Sequence, residues 1–197
     1  SVLVGDVMTD VCYRTRDAIA GRPVVLPEGV DPNAPYLVAT IHRADNTDDP
    51  ARLAAIVERL QSLSAPVVLL AHPRLVARAQ AFGLELSRGS LHPTAPFPYP
   101  QMVAAVTHSV GVVTDSGGLQ KEAFLLGAPC TTLRTETEWT ETLEDGWNIL
   151  DPDLSRVTDV AVRERPTAER SQPYGDGAAA VKVVDALLGA ERDSAQG

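Results

Sequence analysis

Short apolar runs alternate along this chain with segments in which apolar residues recur at helical spacing. The runs predict five strands, at 36–40, 67–71, 90–92, 110–114 and 130–133. The intervening segments predict helices, at 50–63, 74–82, around Val103 and Val106, and at 117–126. Strands that alternate with helices over short loops predict an α/β protein of the Rossmann-like class, with a doubly wound parallel sheet and helices on both of its faces.

The two ends of the chain have a different pattern. Residues 2–6 resemble the end of a strand, residues 6–20 have helical periodicity, and residues 21–35 contain four prolines. A weak helical pattern follows somewhere within 151–172. We therefore predict a first segment at 1–20, a linker at 21–35, a domain at 36–190 that closes with a helix at 177–189, and a disordered tail at 191–197.

Composition and charge exclude several classes of protein. Hydrophobic residues make up 44% and charged residues 22% of the 197, as in ordinary globular proteins. A net charge of −9 argues against a nucleic-acid partner, although it still allows a small anionic ligand. No apolar run approaches the ~20 residues of a membrane span, so we expect no membrane partner.

The cysteines and the start of the chain bear on its cellular setting. Cys12 and Cys130 are far apart in sequence, and we expect both to be buried, reduced thiols rather than metal ligands. No secretory leader is evident, so we expect a cytoplasmic protein. Because the chain begins at Ser1 rather than at a methionine, we expect it to be a piece of a longer protein.

The segment 114–122 follows an apolar strand and opens a helix, which is where doubly wound sheets bind ligands. Gly117 and Gly118 let backbone N–H groups approach an anion, and the start of the helix adds about half a positive charge. Ser116 can bond a phosphate oxygen, while Glu122, nearly two turns on, can accept hydrogen bonds from ribose hydroxyls. The alternative is that Asp115 or Ser116 only caps the helix, since the motif is no P-loop.

A second polar loop follows the strand at 36–40. His42 and Arg43 supply donors for a diphosphate, and Asp45 can orient either of them. The alternative is a solvated loop that only caps the next helix. His72 and His92 also lie at strand ends and are weaker candidates for the same cleft.

A third polar loop follows the strand at 130–133. Arg134 stands at the strand end as a further candidate for an anion. Thr135 or Thr137 can cap a following helix, in whose first turn Glu138 would suit the helix dipole. Capping alone explains the carboxylates of this loop, but it does not explain Arg134.

Taken in order, these segments resemble the C-terminal half of the non-hydrolysing UDP-N-acetylglucosamine 2-epimerases. The matching motifs are Val4-Gly5-Asp6-Val7-Met8, Thr40-x-His42-Arg43-x-Asp45-Asn46, Thr114-Asp115-Ser116-Gly117-Gly118-x-Gln120-x-Glu122-Ala123, Leu126-Gly127-x-Pro129, Arg134-x-x-Thr137-Glu138-Trp139-x-Glu141, Gly146-Trp147-Asn148 and Pro173-Tyr174-Gly175-Asp176-Gly177. Most are weak singly, but seven in one order are specific.

The resemblance implies the nucleotide-binding half of a GT-B fold. It also implies a reaction in which the C2 proton of a UDP-sugar is removed, UDP is eliminated, and UDP adds back with inverted C2, without a cofactor. Carried over by position, the implied roles are a catalytic histidine and a set of UDP contacts. They fall on His42 as the catalytic residue and on Arg43, Phe97, Met102, Ser116, Gly117, Gly118, Glu122 and Arg134 as the UDP contacts.

The chain departs from the family's pattern at three positions. Asp45 replaces a usual Glu, Lys121 replaces a common acidic residue, and Trp139 replaces a common Arg. The last change favours another UDP-sugar, such as a diacetamido uronic acid, as an alternative to UDP-N-acetylglucosamine.

The resemblance also implies what the chain lacks. The family's proton-transfer carboxylates belong to an N-terminal domain, of which residues 1–20 are the expected remnant. We therefore expect this chain to bind UDP without turning it over, and the full-length enzyme to be a homodimer. Two other functions remain open. One is the nucleotide domain of a GT-B glycosyltransferase, which would need an acceptor, and the other is a stand-alone binding module.

Overall fold

The computed structural model describes the backbone of residues 1–194 and the side chains of residues 1–189. The chain forms two compact units. The larger comprises Arg22–Ala168, and the smaller comprises Ser1–Gly21 together with Glu169–Gly197. Within residues 1–194, no helix combines the length and the apolar character that a membrane crossing requires.

Six strands form one parallel sheet in the larger unit. They are β1 (Leu37–Thr40), β2 (Val67–Leu70), β3 (Leu91–Thr94), β4 (Gly111–Thr114), β5 (Cys130–Thr132) and β6 (Asn148–Leu150). Their order is β3-β2-β1-β4-β5-β6, with every neighbouring pair parallel. The predicted doubly wound α/β sheet is therefore confirmed, and β6 is an addition that the apolar pattern missed.

Helices connect these strands. They are α2 (Ala44–Thr47), α3 (Pro50–Gln61), α4 (Pro73–Ala81), α5 (Tyr99–His108), α6 (Gly117–Leu126), a 3-10 helix (Thr140–Gly146) and α7 (Val157–Val160). Local chemistry explains several of the bounds. Asp49 caps α3 before Pro50, Ser116 caps α6, and Gly127 ends α6 at a φ of 74° that suits glycine. The helix predicted within 151–172 is only the single turn of α7.

The core of the larger unit surrounds the central strands. Strands β2 and β4 are buried along their whole length, which is why they read as continuous apolar runs. One buried apolar cluster joins the sheet to the helices, and its members include Leu37, Leu53, Leu60, Leu69 and Val113. This packing holds the strand ends in fixed positions beneath the loops that follow them.

The strand order reverses between β1 and β4. Connections from β1 run toward β3, whereas those from β4 run toward β6, so the loops that leave these two neighbours diverge. Their register pairs Thr40 with Thr114, and both strands therefore end at the same level. Such a reversal leaves a crevice at the carboxyl ends of the strands, where ligands of open α/β sheets bind.

The smaller unit contains α1 (Val7–Ile19) and α8 (Ala179–Ser194). Asp10 of α1 is buried, and its carboxylate accepts hydrogen bonds from the N–H groups of Ala179 (2.9 Å) and Ala180 (2.8 Å) at the start of α8. Asp6 likewise accepts a hydrogen bond from the N–H of Met8 and caps α1. An aspartate side chain therefore accepts backbone N–H groups at the start of each of the two helices.

Both ends of the chain correct the sequence-based predictions. Residues 2–6 form no strand, because Asp6 is the cap of α1 and its N–H is bonded to the carbonyl of Tyr174. The closing helix extends to Ser194, beyond the predicted 189, so that part of the predicted disordered tail is helical. The remainder of that tail, residues 195–197, lies outside the described residues.

Candidate functional site

A cavity of about 240 Å³ opens where the strand order reverses. It is bordered by the loops after β1 and β4, together with residues that follow β2 and β3. Six of the residues predicted to bind or process the nucleotide line it: His42, Phe97, Met102, Ser116, Gly118 and Glu122. Residues from four parts of the sequence therefore meet at one place.

Asp115 organises the loop that carries His42. Its side chain is fully buried (0% exposed), and its two oxygens accept the backbone N–H groups of His42 (3.1 Å) and Arg43 (2.9 Å). The amide of Asn46 donates to the same carboxylate at 3.1 Å and to the carbonyl of Leu133 at 3.0 Å. One carboxylate thus ties the loop after β1 to the loop after β4.

This geometry corrects the predicted role of Asp45. We expected Asp45 to orient His42 or Arg43, but its side chain is exposed, and the buried Asp115 makes those contacts instead. The reason is register, since β1 and β4 are neighbours and the residue after Thr114 therefore faces the loop after Thr40. Sequence separation concealed this pair, because its members are 73 positions apart.

The ring of His42 stands between a carboxylate and a second imidazole. Its Nδ1 lies 3.4 Å from Oδ1 of Asp115, and its ring centroid lies 5.7 Å from that of His72. A buried carboxylate beside a partly exposed histidine can orient the ring toward a ligand, as at many catalytic sites. His72 also lines the cavity, whereas His92 instead lies against Gly29.

The start of α6 combines a cap with a donor surface. The N–H of Leu119 donates to Oγ of Ser116 at 3.5 Å, while the N–H of Ser116 donates to Oγ1 of Thr114 at 2.9 Å. Ser116 therefore caps α6, as the alternative interpretation held, and it also lines the cavity. A weak cap at this distance leaves the hydroxyl able to exchange its partner for a phosphate oxygen.

The two glycines of this turn differ. A Cβ on Gly118 would meet nothing within 4 Å, and Gly118 lines the cavity. A Cβ on Gly117 would collide with the carboxylate of Glu138 and would lie 3.6 Å from Nε1 of Trp139. Gly117 is thus required for the approach of a neighbouring loop, whereas Gly118 is open to the cavity.

Glu122 and an apolar wall complete the cavity. Burial raises the pKa of the Glu122 carboxyl, while a hydrogen bond from Tyr99 and the charge of Lys121 lower it. Phe97 and Met102 belong to the apolar part of the lining, together with Leu70, Pro96 and Leu119. An anionic acceptor beside an apolar wall suits a nucleoside, which presents both hydroxyls and a flat base.

Arg43 and Arg134 lie in a separate cavity of about 310 Å³, which Arg52 also lines. Nη1 of Arg134 donates to Oε2 of Glu138 at 2.7 Å. Nε of Arg52 donates to Oδ1 of Asn46 at 3.0 Å. Arg43 and Arg134 are therefore separated from the predicted UDP contacts that line the first cavity, and Gly117 lines neither of the two.

The loop after β5 does not form the predicted cap. The helix there begins at Thr140 after Trp139, with no side-chain cap, so the prediction that Thr135 or Thr137 caps it is wrong. Oγ1 of Thr137 instead donates to Oε1 of Gln120 in α6 at 2.6 Å. The same oxygen accepts the backbone N–H of Trp139 at 3.0 Å, so Thr137 ties this loop to α6 and bonds the backbone just before the helix.

Two positions that depart from the family's pattern contact each other. Nζ of Lys121, in α6, lies 4.3 Å from the centroid of the Trp139 ring. Lys121 is buried (6% exposed), so a desolvated cation–π contact joins α6 to the loop after β5.

Among the residues that the structure describes, no three His, Cys, Asp or Glu side chains lie close enough together to bind a metal ion.

Comparison with known proteins identifies the family. The sequence model described as UDP-N-acetylglucosamine 2-epimerase matches residues 2–188. The chain belongs to this family. The resemblance that the ordered motifs indicated is thereby confirmed.

Individual members of the family show the same relationship. A UDP-2,3-diacetamido-2,3-dideoxy-D-glucuronate 2-epimerase of Pseudomonas aeruginosa is 37% identical over 94% of this chain and 52% of its own length. A UDP-N-acetylglucosamine 2-epimerase homolog of Methanococcus maripaludis is 33% identical over 93% of this chain and 53% of its own. The chain spans about half the length of these relatives.

A solved structure shows the same fold. The UDP-GlcNAc 2-epimerase of Methanocaldococcus jannaschii, in complex with UDP-GlcNAc and UDP, superposes with a TM-score of 0.81 and 27% identity. The match covers 95% of this chain and 54% of that one. The expected Rossmann-like half of a GT-B fold is therefore confirmed.

Proposed function

We propose that this chain is the nucleotide-binding half of a UDP-sugar 2-epimerase and that the cavity between β1 and β4 holds UDP. One observation carries the proposal. Phe97 with Met102, Glu122, and Ser116 with Gly118 line a single cavity, and they match uracil, ribose and phosphate respectively. The start of α6 supplies local positive charge, so an acidic chain can hold a diphosphate.

His42 is the proposed catalytic residue. Elimination of UDP from the sugar leaves negative charge on the departing phosphate, and a donor fixed beside that oxygen lowers the barrier. Asp115 holds both the backbone and the ring of His42 at this position. We assign removal of the C2 proton to the other half of a full-length enzyme, so this chain alone binds UDP without catalysing epimerisation.

The sugar has two candidates. UDP-N-acetylglucosamine follows from the family's name. A UDP-uronic acid is the second, and it is favoured by the 37% identical relative and by the second cavity, which Arg43, Arg52 and Arg134 line together with Asp45 and Glu136. Guanidinium groups there can accept a sugar carboxylate.

The smaller unit is the proposed contact with the missing half. Its helices expose apolar side chains, which are Val7, Met8, Val11, Val181, Val184, Leu187 and Leu188. An exposed apolar face of this kind marks an interaction surface. We propose that it packs against an N-terminal domain in a full-length, cytoplasmic homodimer.

Calorimetry with UDP tests the site. We expect the chain to bind UDP, Glu122→Gln to weaken binding about tenfold or more, and Ser116→Ala to weaken it less, because charged acceptors form the stronger hydrogen bonds. With 2′-deoxy-UDP the loss caused by Glu122→Gln shrinks, since one of its partners is already missing. Glu85→Gln, at an exposed position in the loop after α4, is the matched control.

Two results would count against this assignment. Equal affinity of the parent chain and both site variants for UDP would remove these residues from the site. An effect of Glu122→Gln that is the same for UDP and 2′-deoxy-UDP would separate Glu122 from the 2′-hydroxyl. For a full-length enzyme, failure to exchange solvent deuterium into C2 of the sugar would exclude the epimerase reaction.

A further inference from the structure

The carboxylate of Glu138 lies against the first residue of α6. A Cβ built on Gly117 would collide with Oε1 of Glu138, so this oxygen occupies the space beside the Gly117 backbone. The other oxygen accepts a hydrogen bond from Nη1 of Arg134 at 2.7 Å. An anionic group of the chain itself therefore sits at the helix end where the phosphates are proposed to bind.

The charges around Glu138 are those that a phosphate would also use. A hydrogen bond from its own backbone N–H lowers the pKa of Glu138, and the charges of Arg134 and Arg43 lower it further. The start of α6 adds its dipole to these cations. The carboxylate is thus held as an anion by the helix end at which the diphosphate is proposed to bind and by two arginines of the second cavity.

The two side chains of the Arg134–Glu138 ion pair differ in their exposure to solvent. The Glu138 side chain is 47% exposed, whereas that of Arg134 is 13% exposed. Rotation of Glu138 into solvent therefore gives up little packing, while Arg134 stays in place. If an anion arrives at this helix end, Glu138 is the group that moves.

We infer that Glu138 is an internal competitor of the diphosphate: the ligand and this carboxylate exchange for Arg134 and the start of α6. The inference rests on the proposed function, because it takes the ligand to be a nucleoside diphosphate. A diphosphate and a carboxylate repel each other at one helix end, so binding includes the displacement of Glu138. Glu138 therefore weakens the hold on UDP and favours its release.

The test compares Glu138→Gln with the parent chain by calorimetry, using UDP and inorganic pyrophosphate as separate ligands. We expect Glu138→Gln to bind both about tenfold more tightly, because no charge has to leave the site. Glu138→Asp retains the charge but is one methylene shorter, and we expect a smaller gain. Glu85→Gln removes an exposed carboxylate in the loop after α4, away from both cavities, and a change below twofold there excludes a general effect of net charge.

A second comparison identifies the contested partner. In an Arg134→Met background, the gain from Glu138→Gln should shrink toward none, since residues that share one partner are not additive. Thermal unfolding of each variant verifies that it is folded. Equal gains in both backgrounds would mean that Glu138 and the ligand do not compete for Arg134, which overturns the inference.

The remaining outcomes separate this inference from the proposed function. Tighter pyrophosphate binding in Glu138→Gln without UDP binding by any variant supports the competition and defeats the nucleotide site. UDP binding that is unchanged or weaker in Glu138→Gln overturns the competition and makes Glu138 a support for Arg134. Absence of pyrophosphate binding in both the parent and the variant also overturns it.

Discussion

The two units of this chain bury their apolar side chains to very different extents. The larger unit has a continuous core that includes Leu37, Leu53 and Leu69. In the smaller unit, the buried apolar residues among those described are Cys12, Tyr174 and Ala179, whereas both helices expose valines and leucines. One unit therefore carries its own hydrophobic stabilisation, whereas the other relies more on polar contacts and leaves apolar side chains exposed.

Both units nevertheless contain a buried aspartate that bonds the backbone of another segment. Asp115 in the larger unit and Asp10 in the smaller are buried carboxylates that accept backbone N–H groups from a distant segment. In the larger unit the carboxylate joins two loops above a packed sheet. In the smaller it joins two helices that bury few large side chains. Paired substitutions across the units can therefore measure how much each depends on its core.

The largest expected difference comes from the two aspartates. Asp115→Asn should lower the free energy of unfolding by about 3–5 kcal/mol, because an amide presents a donor to N–H groups that need acceptors in a buried place. Asp10→Asn should cost about 1–2 kcal/mol, the range of a lost helix cap, and should affect the smaller unit alone. Urea unfolding gives the sizes, and hydrogen exchange shows which amides lose protection.

Asp45→Asn, at an exposed position in the loop after β1, is the control for the first substitution. A loss of protection across the sheet in Asp10→Asn would show that the two units unfold together. A cost below about 1 kcal/mol for Asp115→Asn would mean that its loop is held by other contacts.

A matched pair of leucines tests the cores directly. Leu53→Ala removes a fully buried side chain (0% exposed) and should cost about 2–5 kcal/mol. Leu187→Ala changes a side chain that is 63% exposed and should alter stability by about 0.5 kcal/mol or less. Denaturant titration at two protein concentrations measures both values. A large, concentration-dependent loss for Leu187→Ala would reveal that copies of the chain cover this face.

The smallest effect is kinetic and uses the two buried thiols. Burial raises the pKa of Cys130 to about 12, so the reactive thiolate forms only when the larger unit opens. Cys12 lies in the smaller unit, and we expect iodoacetamide to label it at least about tenfold faster at pH 8, through opening of that unit alone. Mass spectrometry of the labelled peptides follows both sites.

Equal labelling rates for Cys12 and Cys130 would contradict independent opening of the two units.

The raised pKa of Cys130 also makes the free energy of unfolding depend on pH. The folded state holds the Cys130 thiol protonated. The contribution of this thiol to the free energy of unfolding is therefore complete below the unfolded pKa of about 8.5 and is lost as pH rises toward 12.

The fold and part of the site were predictable because their signals are local. Strands buried on both faces read as apolar runs, and Asp49 before Pro50 and Gly127 after Leu126 mark helix ends by backbone chemistry. The short strand β6 lacked that signal, since it contains only Asn148, Ile149 and Leu150. The single turn of α7 was likewise too short to separate from its surroundings.

The side-chain pairings within the site were harder to predict from the sequence. Asp115 was weighed only as a helix cap, Thr137 was assigned to a cap that does not form, and Glu138 was assigned to the dipole of a following helix. Asp115 has its partners in the loop after β1, Thr137 has its partner in α6, and Glu138 pairs with Arg134 of its own loop while lying against Gly117 of α6. Spacing along the chain carries no information about a partner that the sheet register brings close.

By itself, the sequence determined the class of fold, the position of the start of α6 at a strand end, and the ordered motifs that identify the family, because periodicity and turn chemistry act over a few residues. Only the tertiary structure decided that Asp115 holds His42, that the arginines lie in a second cavity, and that Glu138 rests on Gly117. These contacts depend on which strands are neighbours and at what register. That arrangement results from burial of the whole sheet, to which many distant residues contribute at once.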